Sequence, residues 1–263
     1  MNDLGSEARV SSGALPVGGW WLLLPAAGSG QRMRGGLPKQ YLPLGSRSVI
    51  EVALSRFIEI PGLAGVILVT SGAIPESVDL ALSSLPVPVH RVEGGATRAE
   101  SVRNGLTMFR ESWAALAPSA ADGGAVGDEA WVMVHDAARP CVRPADVERL
   151  LRQVNASDGG LLGTPVRDTI KRVEPGGEVI ATVDRAPLMH ALTPQLFRAG
   201  LLRKAIDAAL AAGLEITDEA SAMEYAGRRP RIVAGSADNL KITHPEDLAI
   251  ARAILRHQGV LHD

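Results

Sequence analysis

Leu22-Leu23-Leu24-Pro25-Ala26-Ala27-Gly28-Ser29-Gly30-Gln31-Arg32-Met33, continued by Leu37-Pro38-Lys39-Gln40-Tyr41, decides how this chain is read. An apolar strand ends at Pro25 and opens into a loop of small residues, where Gly28 and Gly30 let backbone N–H groups approach an anion closely. Arg32 and Lys39 then add two cations. A polyphosphate needs them for neutralisation, and nucleotidyl transfer needs them where charge builds on the leaving group. The stretch therefore reads as a nucleoside triphosphate site. Two commoner phosphate motifs do not fit: a P-loop needs Lys-Ser/Thr where Gly36 and Leu37 follow Gly35, and a dinucleotide fingerprint needs a third glycine where Met33 stands. The plain alternative is an ordinary strand-to-helix turn with solvated Arg and Lys. The paired cations and Pro38-Lys39-Gln40 weigh against it.

Outward from this loop, strand patterns at residues 21–24, 66–70, 89–92 and 131–135 alternate with helical patterns at 49–58, 75–85, 98–109 and 144–154. Such alternation predicts an α/β fold with a mainly parallel open sheet covered by helices. Thr97-Arg98-Ala99-Glu100 and Thr243-His244-Pro245-Glu246 fit the capping box, placing helix starts after Gly94-Gly95 and after a strand carrying Lys241. Functional loops should then sit at the carboxyl ends of strands. Two segments break the rhythm. Residues 118–129, rich in Ala, Gly and Asp, read as a surface insertion without chemistry. Residues 167–186 read as a β-hairpin, with runs at 169–173 and 179–183 around the turn Glu174-Pro175-Gly176-Gly177. A lone two-stranded arm is marginally stable and needs a partner surface.

Composition sets limits. The length of 263 residues suits one large domain with a sizeable core. A net charge of −2 leaves no basic footprint for nucleic acid, and no apolar run approaches the roughly 20 residues of a membrane span. The single cysteine, Cys141, fits a reducing, cytoplasmic setting and reads as a small packed residue rather than a nucleophile. Residues 1–19 read as a disordered extension before a single domain at 20–263. They do not read as a signal peptide, because Trp20 to Leu24 is too short for its apolar region.

Further segments follow in a telling order: Gly94-Gly95-Ala96-Thr97-Arg98-Ala99-Glu100-Ser101-Val102, Val134-His135-Asp136-Ala137-Ala138-Arg139-Pro140, Pro165-Val166-Arg167-Asp168-Thr169, Thr182-Val183-Asp184-Arg185, Ala191-Leu192-Thr193-Pro194-Gln195, Thr217-Asp218-Glu219-Ala220 and Asp238-Asn239-Leu240-Lys241-Ile242-Thr243. With the glycine loop they resemble the 2-C-methyl-D-erythritol 4-phosphate cytidylyltransferase family of the non-mevalonate isoprenoid pathway, over nearly everything from Trp20 to about Arg256. The resemblance implies a Rossmann-like nucleotidyltransferase fold and a homodimer in which the arm at about 165–187 hooks around a second subunit. It also implies CTP and methylerythritol phosphate as substrates and Mg²⁺ or another divalent cation as cofactor.

The implied reaction is attack by the substrate phosphate on the α-phosphorus of CTP, expelling pyrophosphate. A phosphate monoester, with a second pKa near 6, is already largely dianionic at pH 7, so no general base is needed. By resemblance, Arg32 and Lys39 stabilise the pyrophosphate and the pentacoordinate phosphorus, Lys241 contacts the triphosphate, and Arg185 anchors the substrate phosphate. Gly95, Arg98 and Ser101 read cytosine, with Ala26 and Ala27 giving backbone groups near base and ribose. Asp136, where an apolar strand ends, holds Mg²⁺ or the substrate hydroxyls; its plain alternative is a loop cap. His135 reads as packed or orienting. Thr169, Thr193, Thr217 and Arg139 match positions around the second substrate, although threonines also serve strands and caps. The nearest rival is a cytidylyltransferase acting on ribitol 5-phosphate. Pro25-Ala26-Ala27-Gly28 and the Thr217 segment favour methylerythritol phosphate. A nucleotide-binding regulatory subunit is the rival from another class, and the full set of cations argues against it. The length leaves no room for fusion to the next pathway enzyme.

Overall fold

A computed structural model describes residues 19–28, 37–112, 127–154 and 157–261. In β1 (Trp20–Pro25) every residue from Trp20 to Leu24 is buried. Side chains alternate across a strand, so Trp20, Leu22 and Leu24 enter one core while Trp21 and Leu23 enter another. Such a strand belongs inside a sheet covered on both faces. Next in the chain come a small ribbon of β2 (Pro43–Leu44) and β3 (Arg47–Ser48), then β4 (Leu63–Thr70), β5 (Val89–Glu93), β6 (Trp131–Val134) and β7 (Gly160–Pro165). The arm strands β8 (Ile170–Val173) and β9 (Val179–Val183) precede β10 (Met189–Arg198) and β11 (Arg231–Ala234).

The main sheet has the order β11-β7-β10-β6-β1-β4-β5. Leu22 pairs in parallel register with Val66 of β4 and with Met133 of β6. Only β10 runs against its two neighbours. The expectation of a mainly parallel α/β sheet is met.

Helices α1 (Val49–Ser55), α2 (Glu76–Ser83) and α4 (Pro144–Val154) cover the face of Trp20 and Leu22. The face of Trp21 and Leu23 is covered by α3 (Arg98–Glu111), α5 (Ala199–Ala211) and α6 (Glu219–Tyr225). Burying each such aliphatic side chain contributes about 1.5–3 kcal/mol. A third, smaller core lies under α7 (Asp247–His257), where Ala251 and Leu255 meet Val49, Val52, Cys141 and Ile242. Helix α3 lies close on the sheet because of Gly105: a Cβ there would stand 2.9 Å from Leu23 Cδ1.

Boundaries shift in places. Pro75 is the N-cap of α2 rather than its first residue, and α1 ends at Ser55. The capping box at Thr97 forms, with Glu100 N–H donating to Thr97 Oγ1 and Thr97 N–H to Glu100 Oε2. The one expected at Thr243 does not govern its helix. Asp247 accepts the N–H groups of both Thr243 and His244 at 2.8 Å, which moves the helix start to Asp247. Nor is Lys241 on a strand; it lies in a coil that Ile242 N–H ties to Ala138 C=O.

The arm forms as expected, pairing Ile170 with Val183 and Lys171 with Thr182, with Gly177 at φ +94° in its turn. Its Val173, Val179 and Ile180 are more than half exposed, and it adds no residue to the three cores. Residues 1–18, and most of the expected insertion, lie outside the described residues. The end of that insertion is tied down, since Asp128 C=O accepts Gly200 N–H.

Candidate active site

A cavity of about 550 Å³ opens at the carboxyl ends of the parallel strands β1, β5 and β6. Its wall combines Ala26, Ala27 and Gly28 after β1, Gly95, Arg98 and Ser101 after β5, and Asp136 after β6, with Lys39, Gln40, Lys241 and Thr243 closing it. Loops past the ends of parallel strands are where open α/β sheets bind ligands.

Each wall segment is held by its own bonds. Ala26 N–H donates to Val69 C=O, and Gln40 Nε2 donates to Ala26 C=O at 2.6 Å. Gly94 N–H donates to Thr70 C=O, and a Cβ on Gly94 would sit 2.3 Å from Ala27 Cβ, so only glycine lets these two loops touch. Ser101 Oγ donates to Thr97 C=O and accepts Gly95 N–H, which pins the glycine loop to the first turn of α3. Lys39 Nζ donates to Ile242 C=O at 3.0 Å, joining the first loop to the Lys241 segment.

Asp136 is the centre of charge. Arg98 Nε meets its Oδ1 at 3.0 Å; Lys241 Nζ and Arg139 Nε meet its Oδ2 at 2.9 and 3.4 Å. Burial opposes ionisation of this carboxyl, but Arg98, Lys241 and Arg139 together outweigh it and hold it well below the usual carboxylate range. Arg98 also grips Glu219 with both terminal nitrogens, at 2.6 and 3.2 Å. Its own pKa is raised; burial opposes this, and the charges of Glu219 and Asp136 prevail.

Behind Asp136 stands a fully buried His135, which burial lowers to about 4 and so keeps neutral. The carbonyl of Arg139 can only accept, so His135 Nε2–H donates to it, leaving Nδ1 to accept from the Thr193 hydroxyl. Thr193 Oγ1 in turn accepts Asp136 N–H. Asn239 locks the same corner from the other side: its Nδ2 donates to Thr193 C=O while its backbone C=O accepts from Arg139 Nη1.

The family profile described as 2-C-methyl-D-erythritol 4-phosphate cytidylyltransferase matches residues 21–257. The chain belongs to that family. A protein of that name from Ectopseudomonas mendocina is 48% identical over 235 residues, spanning 89% of this chain and 94% of its own. One from Pseudomonas aeruginosa is 48% identical over 233 residues, spanning 87% and 93%. Among solved structures, a 4-diphosphocytidyl-2C-methyl-D-erythritol synthase superposes with a TM-score of 0.73 at 39% identity, over 90% of this chain and 98% of that one. The 2-C-methyl-D-erythritol 4-phosphate cytidylyltransferase of Thermus thermophilus gives 0.70 at 31%, over 90% and 99%.

Within this cytidylyltransferase fold the residues read from the sequence divide. Ala26, Ala27, Gly28, Lys39, Gly95, Arg98, Ser101, Asp136 and Lys241 converge on the cavity. Arg139 and Thr193 lie directly behind it, bonded to Asp136. Thr169 and Arg185 are exposed in and beside the arm, where Arg185 donates to Arg167 C=O, and Thr217 is exposed just before α6; none of the three lines the cavity. Arg32 and Gly30 lie outside the described residues. Sequence reading did not single out Gln40, Glu219 or Asn239 as site residues. Cys141 is buried, and burial, with Asp238 nearby, pushes its thiol up to about 12, as suits a packing residue. Among the described residues no helix is long and apolar enough to cross a membrane.

Proposed function

We propose that this chain transfers the cytidylyl group of CTP to 2-C-methyl-D-erythritol 4-phosphate, releasing pyrophosphate and giving 4-diphosphocytidyl-2-C-methyl-D-erythritol for isoprenoid synthesis. The observation that carries this reading is the cavity itself: a glycine loop, Lys39 and Lys241 gathered around one ionised carboxylate, in a member of this family. An oxygen of the substrate phosphate bonds to the α-phosphorus of CTP as the bond to the bridging oxygen of the β-phosphate breaks, and the electron pair leaves on pyrophosphate. Lys39, Lys241 and Arg32 offset the charge that collects there. The attacking phosphate is already an anion, so the protein's task is to hold two mutually repelling anions in line.

Cytosine lies against Gly95, Ser101 and the backbone of Ala26 and Ala27, with Arg98 adding whatever N–H groups its two carboxylates leave. Asp136 suits Mg²⁺. Its Oδ2, now 2.9 Å from Lys241 Nζ, would become a hard, ionised ligand on the cavity wall once Lys241 turns to the triphosphate, and Mg²⁺ in nucleotide sites takes one or two carboxylates with phosphates and water. When bound, the ion screens the triphosphate and favours departure of pyrophosphate. Thr193 and Arg139 keep Asp136 aimed. Thr169, Arg185 and Thr217 receive the second substrate once the arm of another copy is in place, so the working unit is a cytoplasmic homodimer. Apolar, exposed Val173, Val179 and Ile180 supply the contact.

A ³¹P spectrum of protein, CTP, Mg²⁺ and methylerythritol phosphate tests the reading. New diphosphodiester resonances with free pyrophosphate are expected. Unchanged CTP and monoester signals would rule it out.

A further inference from the structure

Glu219 stands among the most buried carboxylates of the described residues, 1% exposed, and the chemistry proposed above gives it no task. It opens α6, and that helix is fastened down: Asp218 accepts Ser221 N–H, and Ala220 N–H donates to Gln195 Oε1. Glu219 therefore cannot follow Arg98 outward. Arg98 can move, since its side chain is 28% exposed and it lines the cavity. Its fork is held on three edges, Nη1 and Nη2 on Glu219 at 2.6 and 3.2 Å and Nε on Asp136 Oδ1 at 3.0 Å. Lys241 occupies the other oxygen of Asp136 at 2.9 Å. Arg98 and Lys241 thus flank one carboxylate, and a phosphate drawn to Lys241 comes within reach of an unrestrained Arg98.

We propose that Glu219 is a positioning residue that keeps the Arg98 guanidinium on Asp136 and off the polyphosphate, so that pyrophosphate can leave. This deepens the cytidylyltransferase reading and rests on it. The ion-paired cluster holds Arg98, Arg139 and Lys241 against Asp136 and Glu219, one net positive charge. That surplus attracts a triphosphate without trapping the product. Without the charge of Glu219 the surplus doubles, and Arg98 loses the bidentate partner that its planar fork matches. The cavity is then its outlet.

Calorimetry of pyrophosphate binding in Mg²⁺, alongside steady-state kinetics, tests this with a sign that lost folding cannot imitate. Glu219→Gln is expected to bind pyrophosphate about tenfold tighter, a modest share of what a unit charge is worth at close range, while kcat falls about tenfold as Asp136 loses its brace and product lingers. Glu219→Asp keeps the charge and should stay within about twofold of wild-type affinity. The charge-neutral pair Arg98→Gln with Glu219→Gln carries the test even if the single variant fails to fold: it should bind pyrophosphate no tighter than wild type. Unchanged or weaker binding by Glu219→Gln, or a gain that persists without Arg98, would overturn the proposal. Because the readout is binding, a wild-type protein that binds CTP and pyrophosphate yet transfers nothing to methylerythritol phosphate counts against the functional reading alone.

Discussion

The nucleotide cavity and the hairpin arm are opposites in the same chain. Around the cavity nearly every polar group is committed: Asp136 to three cations, His135 to Thr193 and Arg139, Ser101 to the glycine loop. The arm presents Val173 and Ile180 more than half exposed to solvent. A site that must stabilise charge gains from fixed dipoles and ion pairs, since nothing then has to reorganise during the reaction. A surface that must meet another chain keeps its apolar side chains uncovered until it does. On the function proposed above, the difference teaches a division of labour in which the chain builds the CTP half of the site by itself and leaves the acceptor half to assembly.

The largest effect should come from breaking that division at the arm. Deleting residues 171–182 and closing the gap with a short Gly linker should give a monomer with little turnover whose CTP affinity is nearly intact. Light scattering, calorimetry and pyrophosphate release decide it together. A deletion variant that stays dimeric, or a fully active monomer, would show the arm to be dispensable. Within the cavity, Lys39→Ala or Arg32→Ala should lower kcat by on the order of 10²-fold with the fold intact, the scale seen when one preorganised charge-stabilising group is lost. Either variant keeping wild-type kcat at saturating CTP would mark its residue as solvated surface.

A smaller, conditional effect is expected from Asp136→Asn. EDTA should abolish activity and Mg²⁺ restore it, and the variant should need about tenfold more Mg²⁺, since an amide keeps the shape and loses the anion. An unchanged Mg²⁺ titration would remove Asp136 from the metal shell. The smallest effect sharpens the comparison from the other side. Cys141, buried with its thiol pushed up to about 12, should resist iodoacetamide in the native protein at pH 8 and react after denaturation. Rapid native alkylation with loss of activity would make it part of the machinery.

Much of this was legible because the signals are local. Leu22-Leu23-Leu24 announces a strand buried on both faces, Thr97 and Glu100 a helix start, and Glu174-Pro175-Gly176-Gly177 a hairpin turn. The Thr243 box misleads because a better acceptor lies one residue beyond it: Asp247 takes the Thr243 N–H that the box assigns to Glu246, and the His244 N–H as well. Glu219 and Asn239 were invisible as site residues for a different reason. Their partners, Arg98 and Thr193, are 121 and 46 positions away, and no periodicity within a helix or strand encodes such a pairing. Gln40 lay inside a quoted motif, yet its task, holding Ala26 C=O from 14 residues downstream, appears only once the loop is folded.

The most direct test of the account is pyrophosphate release with CTP and Mg²⁺, run in parallel against methylerythritol phosphate and ribitol 5-phosphate. Turnover with methylerythritol phosphate, and little with ribitol 5-phosphate, is the predicted result. Turnover of ribitol 5-phosphate alone, or of neither acceptor, would contradict it.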